Sequence, residues 1–160
     1  SPVAQQSPVS HLYTDASPMS SPLSRYACFM ETLRPETVEG LQDIVCEHVH
    51  FKDPFNDVIG SQAMQAIFIH MFETLDHARF HVHAHGMLGE TGILHWSFES
   101  ELRQKPWTFE GMSRIEFGTT GRVSSHIDHW DAARDFYEHF PIIGHVLRGA
   151  RKRIAAASVL

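Results

Sequence analysis

The chain has 160 residues, 42% of them apolar and 20% charged, which is the size and composition of one ordinary globular domain. Its net charge of −6 excludes a nucleic-acid surface spread over the whole domain. Two cysteines, Cys28 and Cys46, make no disulfide framework; set among apolar neighbours, they are expected as buried free thiols in a reducing cytoplasm.

Residues 1–23 carry four Ser-Pro steps and little to bury, so a flexible arm is expected there, with no signal peptide. Tyr26, Phe29, Met30 and Leu33 recur at helical spacing and predict a first helix over 24–34. Pro35 ends it, and Val38, Leu41, Ile44 and Val45 mark a second. The run "VHFKDPF" alternates like a strand, and Pro54 holds Asp53 extended and stops the ladder. Asn56-Asp57 reads as a turn. Ser61 is the expected N-cap of a third helix that buries Met64, Ile67, Phe68, Met71 and Leu75.

After a break at Asp76-His77 come four predicted strands: 80–88, 92–101, 107–118 and 122–131. Gly89, Gln104-Lys105-Pro106 and Gly118 to Gly121 separate them. Asp131 is placed to cap a helix over 132–139, and Pro141 to start another that runs to about Ile154. The fold class is α+β: three N-terminal helices packed as a cone-shaped barrel on a curved, mostly antiparallel sheet, with an extra C-terminal helix. The organisation is an arm over 1–23, one domain over 24–140, and an amphipathic helix and tail over 141–160.

Residues of chemical interest fall on these elements. Strand alternation puts His126, Asp128 and Trp130 on one face, and Ile127, His129 and Asp131 on the other. Asp128 is either a pocket carboxylate or a structural acid held by a neighbour such as Arg114. Asp53 is either a base or the cap of the turn "DPFND". Leu94, Trp96 and Phe98 alternate inward, as do Trp107, Phe109 and Ile115 with a bulge between them. "HVHAH" places His81, His83 and His85 on one strand face; neighbours two apart are nearly 7 Å from each other, long for one ion, so no metal is expected.

The run "FKDPFNDVIGSQAMQAIFIHMF" and the meander ending "GRVSSHIDHWDAARDFYE" resemble the SnoaL-like branch of the nuclear transport factor 2 and ketosteroid isomerase superfamily. The resemblance spans roughly residues 24–140 and implies a cone with an inner pocket. Asp53 matches the general base of ketosteroid isomerases, which also precedes a proline. The oxyanion-hole tyrosine of those enzymes falls near Phe29, which has no donor, with Tyr26 one turn earlier; their oxyanion-hole acid falls near Ser113. In limonene epoxide hydrolase the last strand carries a catalytic Asp, which "DHWD" matches at Asp128; the arginine and aspartate of its central strand have no counterpart in "LHWSFES".

The implied function is cofactor-free acid–base chemistry of the isomerase, cyclase or hydrolase type on a small, mostly apolar molecule. Asp53 would be the base and Asp128 the acid or water-positioner, with Tyr26, Phe29, Trp96, Phe98, Ser113, His126 and Trp130 as pocket residues. The alternative is a binding module that holds an apolar ligand or lipid unchanged. A homodimer through the open sheet face and no nucleic-acid partner are expected. The C-terminal helix, with Ile142, Ile143, Val146, Leu147 and Ile154 beside Arg148, Arg151, Lys152 and Arg153, covers a pocket mouth or subunit interface, or touches an anionic membrane surface.

Overall fold

The structure, a computed structural model, describes residues 21–155. The expected arm over 1–23 and the last five residues therefore lie almost wholly outside the described part. Among the described residues no helix is long and apolar enough to cross a membrane.

Helix α1 (Pro22–Glu31) begins two residues before the expected start. The last Ser-Pro step is its cap: Ser21 Oγ accepts from the Ser24 amide at 3.0 Å, and Pro22 takes the first helical position, where a missing N–H costs nothing. The helix buries Leu23, Tyr26, Ala27 and Met30. Cys28 lies on the opposite side and is exposed, and Cys46 is half-buried, so neither is the buried thiol that apolar sequence neighbours suggested.

A 3-10 turn (Val38–Gly40) leads into the short helix α2 (Leu41–Ile44). Val45 already belongs to strand β1 (Val45–Lys52), which starts four residues before the alternating run. A hairpin then returns as β2 (Asp57–Ile59), pairing Lys52 with Asp57, so the stretch read as a plain turn also holds a short edge strand. Helix α3 (Ser61–Thr74) is capped by Gly60 rather than Ser61. Gly60 has φ 120°, a conformation other residues avoid, and donates its N–H to the Val49 carbonyl at 2.8 Å. Ser61 Oγ instead donates to Gln42 Oε1 at 2.7 Å, tying α3 to α2.

Strand β3 (Asp76–Leu88) runs straight through the expected break. His77 takes φ 54° at a register shift, so the break is a bulge inside a longer strand. A second shift between Val82 and Ala84 frees the Val82 N–H, which Glu31 of α1 accepts at 3.1 Å. Strands β4 (Thr91–Leu102) and β5 (Lys105–Phe117) join through Arg103-Gln104, both with positive φ. That is the two-residue hairpin geometry, so Lys105 and Pro106 belong to the strand and not to the turn. Pro106 is tolerated because β6 (Val123–His129) pairs with β5 only from Met112 onward, and no donor is needed on that side. The register between β4 and β5 is unbroken, so the bulge expected between Phe109 and Ile115 is absent.

The sheet has six strands in the order β2-β1-β6-β5-β4-β3, antiparallel except for the β1–β6 pair. The architecture is α+β, with α1 against β3 and α3 against β1. Even positions of β4 (Leu94, Trp96, Phe98) and odd positions of β5 (Ser113, Ile115) face the helices and are buried. Asp131 Oδ1 caps helix α4 (Ala132–Asp135) through the Arg134 amide, as its sequence position suggested. A 3-10 turn (Tyr137–His139) and helix α5 (Pro141–Ile154) follow, so the single helix expected over 132–139 is two short turns.

Gly111 sits opposite Trp96 in the ladder, and a Cβ there would lie 2.7 Å from the indole ring and 2.9 Å from the His129 carbonyl. Gly111→Ala must therefore displace a rigid ring, and should cost about 1–3 kcal/mol in urea unfolding. Gly86→Ala on β3, with nothing within 4 Å of the added Cβ, should cost nothing or stabilise slightly.

Candidate functional site

The inward faces of β4, β5 and β6 meet α1 at one buried chain of polar groups. Trp96 Nε1–H donates to Ser113 Oγ at 2.8 Å. The Ser113 hydroxyl donates to Asp128 Oδ1, which also accepts from His126 Nε2–H at 2.6 Å. His126 Nδ1 then accepts from the Tyr26 hydroxyl at 2.5 Å. Every member is deeply buried, with the Asp128 side chain 10% exposed.

Each element places its residue for a local reason. His126 and Asp128 are two apart on β6 and so share its inner face. Ser113 pairs directly with Asp128 across β5–β6. Trp96 reaches Ser113 diagonally because Gly111 leaves room for the indole. Tyr26 projects from the buried face of α1, and its ring meets His126 edge-on with centroids 5.6 Å apart. Phe51 on β1 pairs with His126 and packs on its other side at 5.1 Å.

The electrostatics assign the protons. Burial pushes the Tyr26 phenol well above its ordinary value, and the Asp128 charge adds to that, so the phenol keeps its proton and donates. A carboxylate can only accept, so His126 carries its proton on Nε2 and its lone pair on Nδ1. Both Asp128 bonds fall on Oδ1. Oδ2 makes no hydrogen bond to a described residue, and among those residues no fully buried side-chain oxygen lacks a partner, so Oδ2 has open surface.

Asp128 lines a cavity of about 10 Å³, room for about one water molecule, together with Met30, Phe80, Val82, Leu94, Trp96, Ser113 and His126. Its apolar wall offers no donor, and the donors of Trp96, Ser113 and His126 are committed within the chain. A larger groove of about 530 Å³, lined by Glu39, Gln42, Gln62, Gln65, Ala66 and Ile69, shares no residue with this hydrogen-bonded chain.

The expected site residues divide. Trp96, Ser113, His126 and Asp128 line the cavity, and Tyr26 backs it through His126. Phe29 lies elsewhere, with its ring against Gly40. Phe98 packs between Phe80 and Phe109, and Trp130 stacks on Phe109 with centroids 4.1 Å apart; neither lines the cavity. The acid's partners are Ser113 and His126, not Arg114. Met30, Phe80, Val82 and Leu94 were not named as pocket residues from the sequence, because their periodicity is the same as that of ordinary core residues.

Asp53 turns back on its own hairpin. Its Oδ1 accepts from the Phe55 and Asn56 amides at 2.8 and 2.7 Å, which explains a carboxylate ahead of a proline: it closes the four-residue loop between β1 and β2. Asp53 is absent from the cavity lining, yet the charge of Asp128 reaches it. His81 and His83 meet edge to face on the outer side, with centroids 4.9 Å apart, and His83 is bonded to Ser97. Among the described residues no three His, Cys, Asp or Glu side chains converge in a way that would hold a metal ion.

The family model of the SnoaL-like domain matches residues 27–126, and the chain belongs to that family. No curated protein matches it. Among solved structures, an M. tuberculosis LEH-like epoxide hydrolase superposes with a TM-score of 0.62 at 13% identity, covering 81% of this chain and 91% of that one. A nuclear transport factor 2-like protein of unknown function from an Exiguobacterium species gives 0.60 at 13% identity, covering 69% and 98%. A hypothetical protein of ketosteroid isomerase-like fold from Catenulispora acidiphila, in complex with trimethylamine, gives 0.58 at 7% identity, covering 68% and 83%. At these identities the likeness is one of fold.

Asp53 yields a pH prediction. Burial raises its carboxyl above the ordinary range; bonds from Phe55 and Asn56 pull the other way, and the charge of Asp128 raises it further. A raised folded-state value means its stabilising contribution is complete below the unfolded value near ~3.9 and is lost as pH rises through the folded one. Asp53→Asn keeps the acceptor for both amides and removes the charge. At pH 7 it should be as stable as the parent or more so, by ~0.5 kcal/mol at most, and the advantage should vanish in acid. Urea midpoints across that range check the sign; a loss at neutral pH would contradict it.

Proposed function

We propose that this chain is a cofactor-free acid–base enzyme that acts on a small, mostly apolar molecule, with Asp128 as the general base and water addition as the chemistry. The observation that carries the reading is the one-sided carboxylate: Oδ1 is held by Ser113 and His126, Oδ2 has no bond to a described residue, and Asp128 lines an apolar cavity with room for one water. An acceptor with no donor beside it suits a partner that brings its own proton. Water fits that description. An enolate intermediate would need a donor facing the cavity, and Tyr26 and Trp96 already spend theirs on His126 and Ser113.

In this reading Asp128 takes a proton from water as the water oxygen attacks an electrophilic carbon of a strained ring ether; the ring C–O bond breaks, and the protonated Asp128 returns that proton to the alkoxide oxygen, so that one water is added overall and the carboxylate is restored. His126 and Tyr26 hold the carboxylate in line and share the proton's arrival through their hydrogen bonds. The substrate enters by displacing the movable wall of Met30 and Phe80. The LEH-like epoxide hydrolase among the similar folds is compatible with this chemistry and does not establish it. A binding module holding the same kind of molecule unchanged is the second reading, favoured by the absence of an uncommitted side-chain donor among the cavity-lining residues.

A panel of apolar epoxides incubated in ¹⁸O-labelled water, with labelled diol read by mass spectrometry, tests the proposal. Asp128→Asn should lower turnover about 10²-fold or more, with little change in melting temperature because the amide oxygen still accepts from Ser113 and His126. Unchanged turnover in the variant would remove Asp128 as the base. No turnover on the panel, with an apolar molecule co-purifying, would favour the binding module.

A further inference from the structure

Helix α5 is attached the wrong way round for a helix that only completes a core. Gly144, Arg148 and Arg151, at helical spacing, face the 3-10 turn Tyr137–His139 that precedes the helix. Gly144 is buried there, and a Cβ would collide with the Glu138 carbonyl. Arg148 donates to that same carbonyl, and the Arg151 Nε–H donates to Glu138 Oε1 at 2.7 Å. The polar side is therefore the anchor. The opposite side presents Ile142, Ile143, Val146 and Ile154, exposed at 81, 54, 66 and 86%, next to exposed Phe140.

Charge is segregated in the same place. Pro141–Ile154 holds four of the thirteen Lys and Arg and none of the nineteen Asp and Glu. The rest of the chain therefore has nine cations against nineteen acids, a net −10. With Arg148 and Arg151 turned toward Glu138, exposed Lys152 and Arg153 stand in the last turn beside the aliphatic stripe. An outward apolar stripe edged by free cations on a 14-residue helix is the pattern of a helix lying in a lipid headgroup region, with the basic stems reaching back to the phosphates. A second copy fits less well, because pairing the stripe with itself would bring two strongly basic helices together.

We propose that α5 is a membrane-surface docking helix that seats Ile142, Ile143, Val146 and Ile154 at the acyl boundary of an anionic bilayer. The surface stands next to the site. Tyr137 and Phe140 contact Phe136, Phe55 packs on Phe136 and Trp130, and Trp130 stacks on Phe109, which touches Trp96 of the cavity wall. A docked chain would thus hold a continuous aromatic row between the lipid and Asp128. The docking rests on α5 alone and does not depend on the reaction assigned to Asp128.

The test is co-sedimentation of the full chain with phosphatidylcholine vesicles made with or without phosphatidylglycerol. Binding should be about tenfold stronger to the anionic vesicles and should weaken as salt is raised. Ile142→Glu with Val146→Glu, at exposed positions that leave the Glu138 anchor intact, should abolish binding. Lys152→Ser with Arg153→Ser should remove most of the anionic preference. Circular dichroism confirms that both double variants are folded. Absence of binding to anionic vesicles at low salt would overturn the proposal, as would equal binding by Ile142→Glu/Val146→Glu. So would a parent that does not bind vesicles but sediments as a dimer that this variant splits, since α5 would then join two copies.

Discussion

A carboxylate that is nine-tenths buried must be hydrogen-bonded, and the way Asp128 meets that demand organises this domain. Its two donors come from β5 and from its own strand, and each donor is itself held by a third residue, on β4 or on α1. The chain from Trp96 to Tyr26 therefore stitches three strands to the first helix through groups that cannot be removed singly without leaving a buried polar atom unpaired. The packing around it follows. Gly111 is small so that Trp96 can cross it, and Phe51 and Tyr26 enclose the imidazole from two sides.

The same demand leaves something over. Both bonds fall on one oxygen, leaving the other without a partner among the described residues, and the residue lines an apolar cavity. Asp53 shows the contrasting case within one molecule. It is also partly buried and also near a negative charge, but its acceptors are consumed by its own turn. Two carboxylates on neighbouring strands thus have different work, one closing a hairpin and the other facing the interior.

Much of this was readable from the chain. The alternation of β4 and β6 put Trp96, His126 and Asp128 inward, and the helical periodicity located α1, α3 and α5. The Asp53-Pro54 step carried two meanings, and local sequence could not separate them, since a turn cap and a base require the same residue. Tyr26 was named as a pocket residue through the resemblance, but its bond to His126 was not legible, because that partner lies 100 residues away. The Arg103-Gln104 hairpin was hidden for another reason: neither residue is the glycine or asparagine that usually signals positive φ, and the strand pairing imposes the conformation. For α5 the sequence left an inward cover and an outward surface both open, and the Glu138 anchor is what shows which side is held.

The central claim is a proton arrangement, Tyr26 to His126 to Asp128, and the most direct measurement is the ¹⁵N spectrum of the His126 imidazole at neutral pH. The account predicts a neutral ring with the proton on Nε2 and an unprotonated Nδ1 accepting from Tyr26; in Tyr26→Phe the Nδ1 resonance should move while Nε2 stays protonated. A ring protonated on both nitrogens, or one carrying its proton on Nδ1, would contradict it, because Tyr26 would lose its acceptor and Asp128 would no longer be held as described.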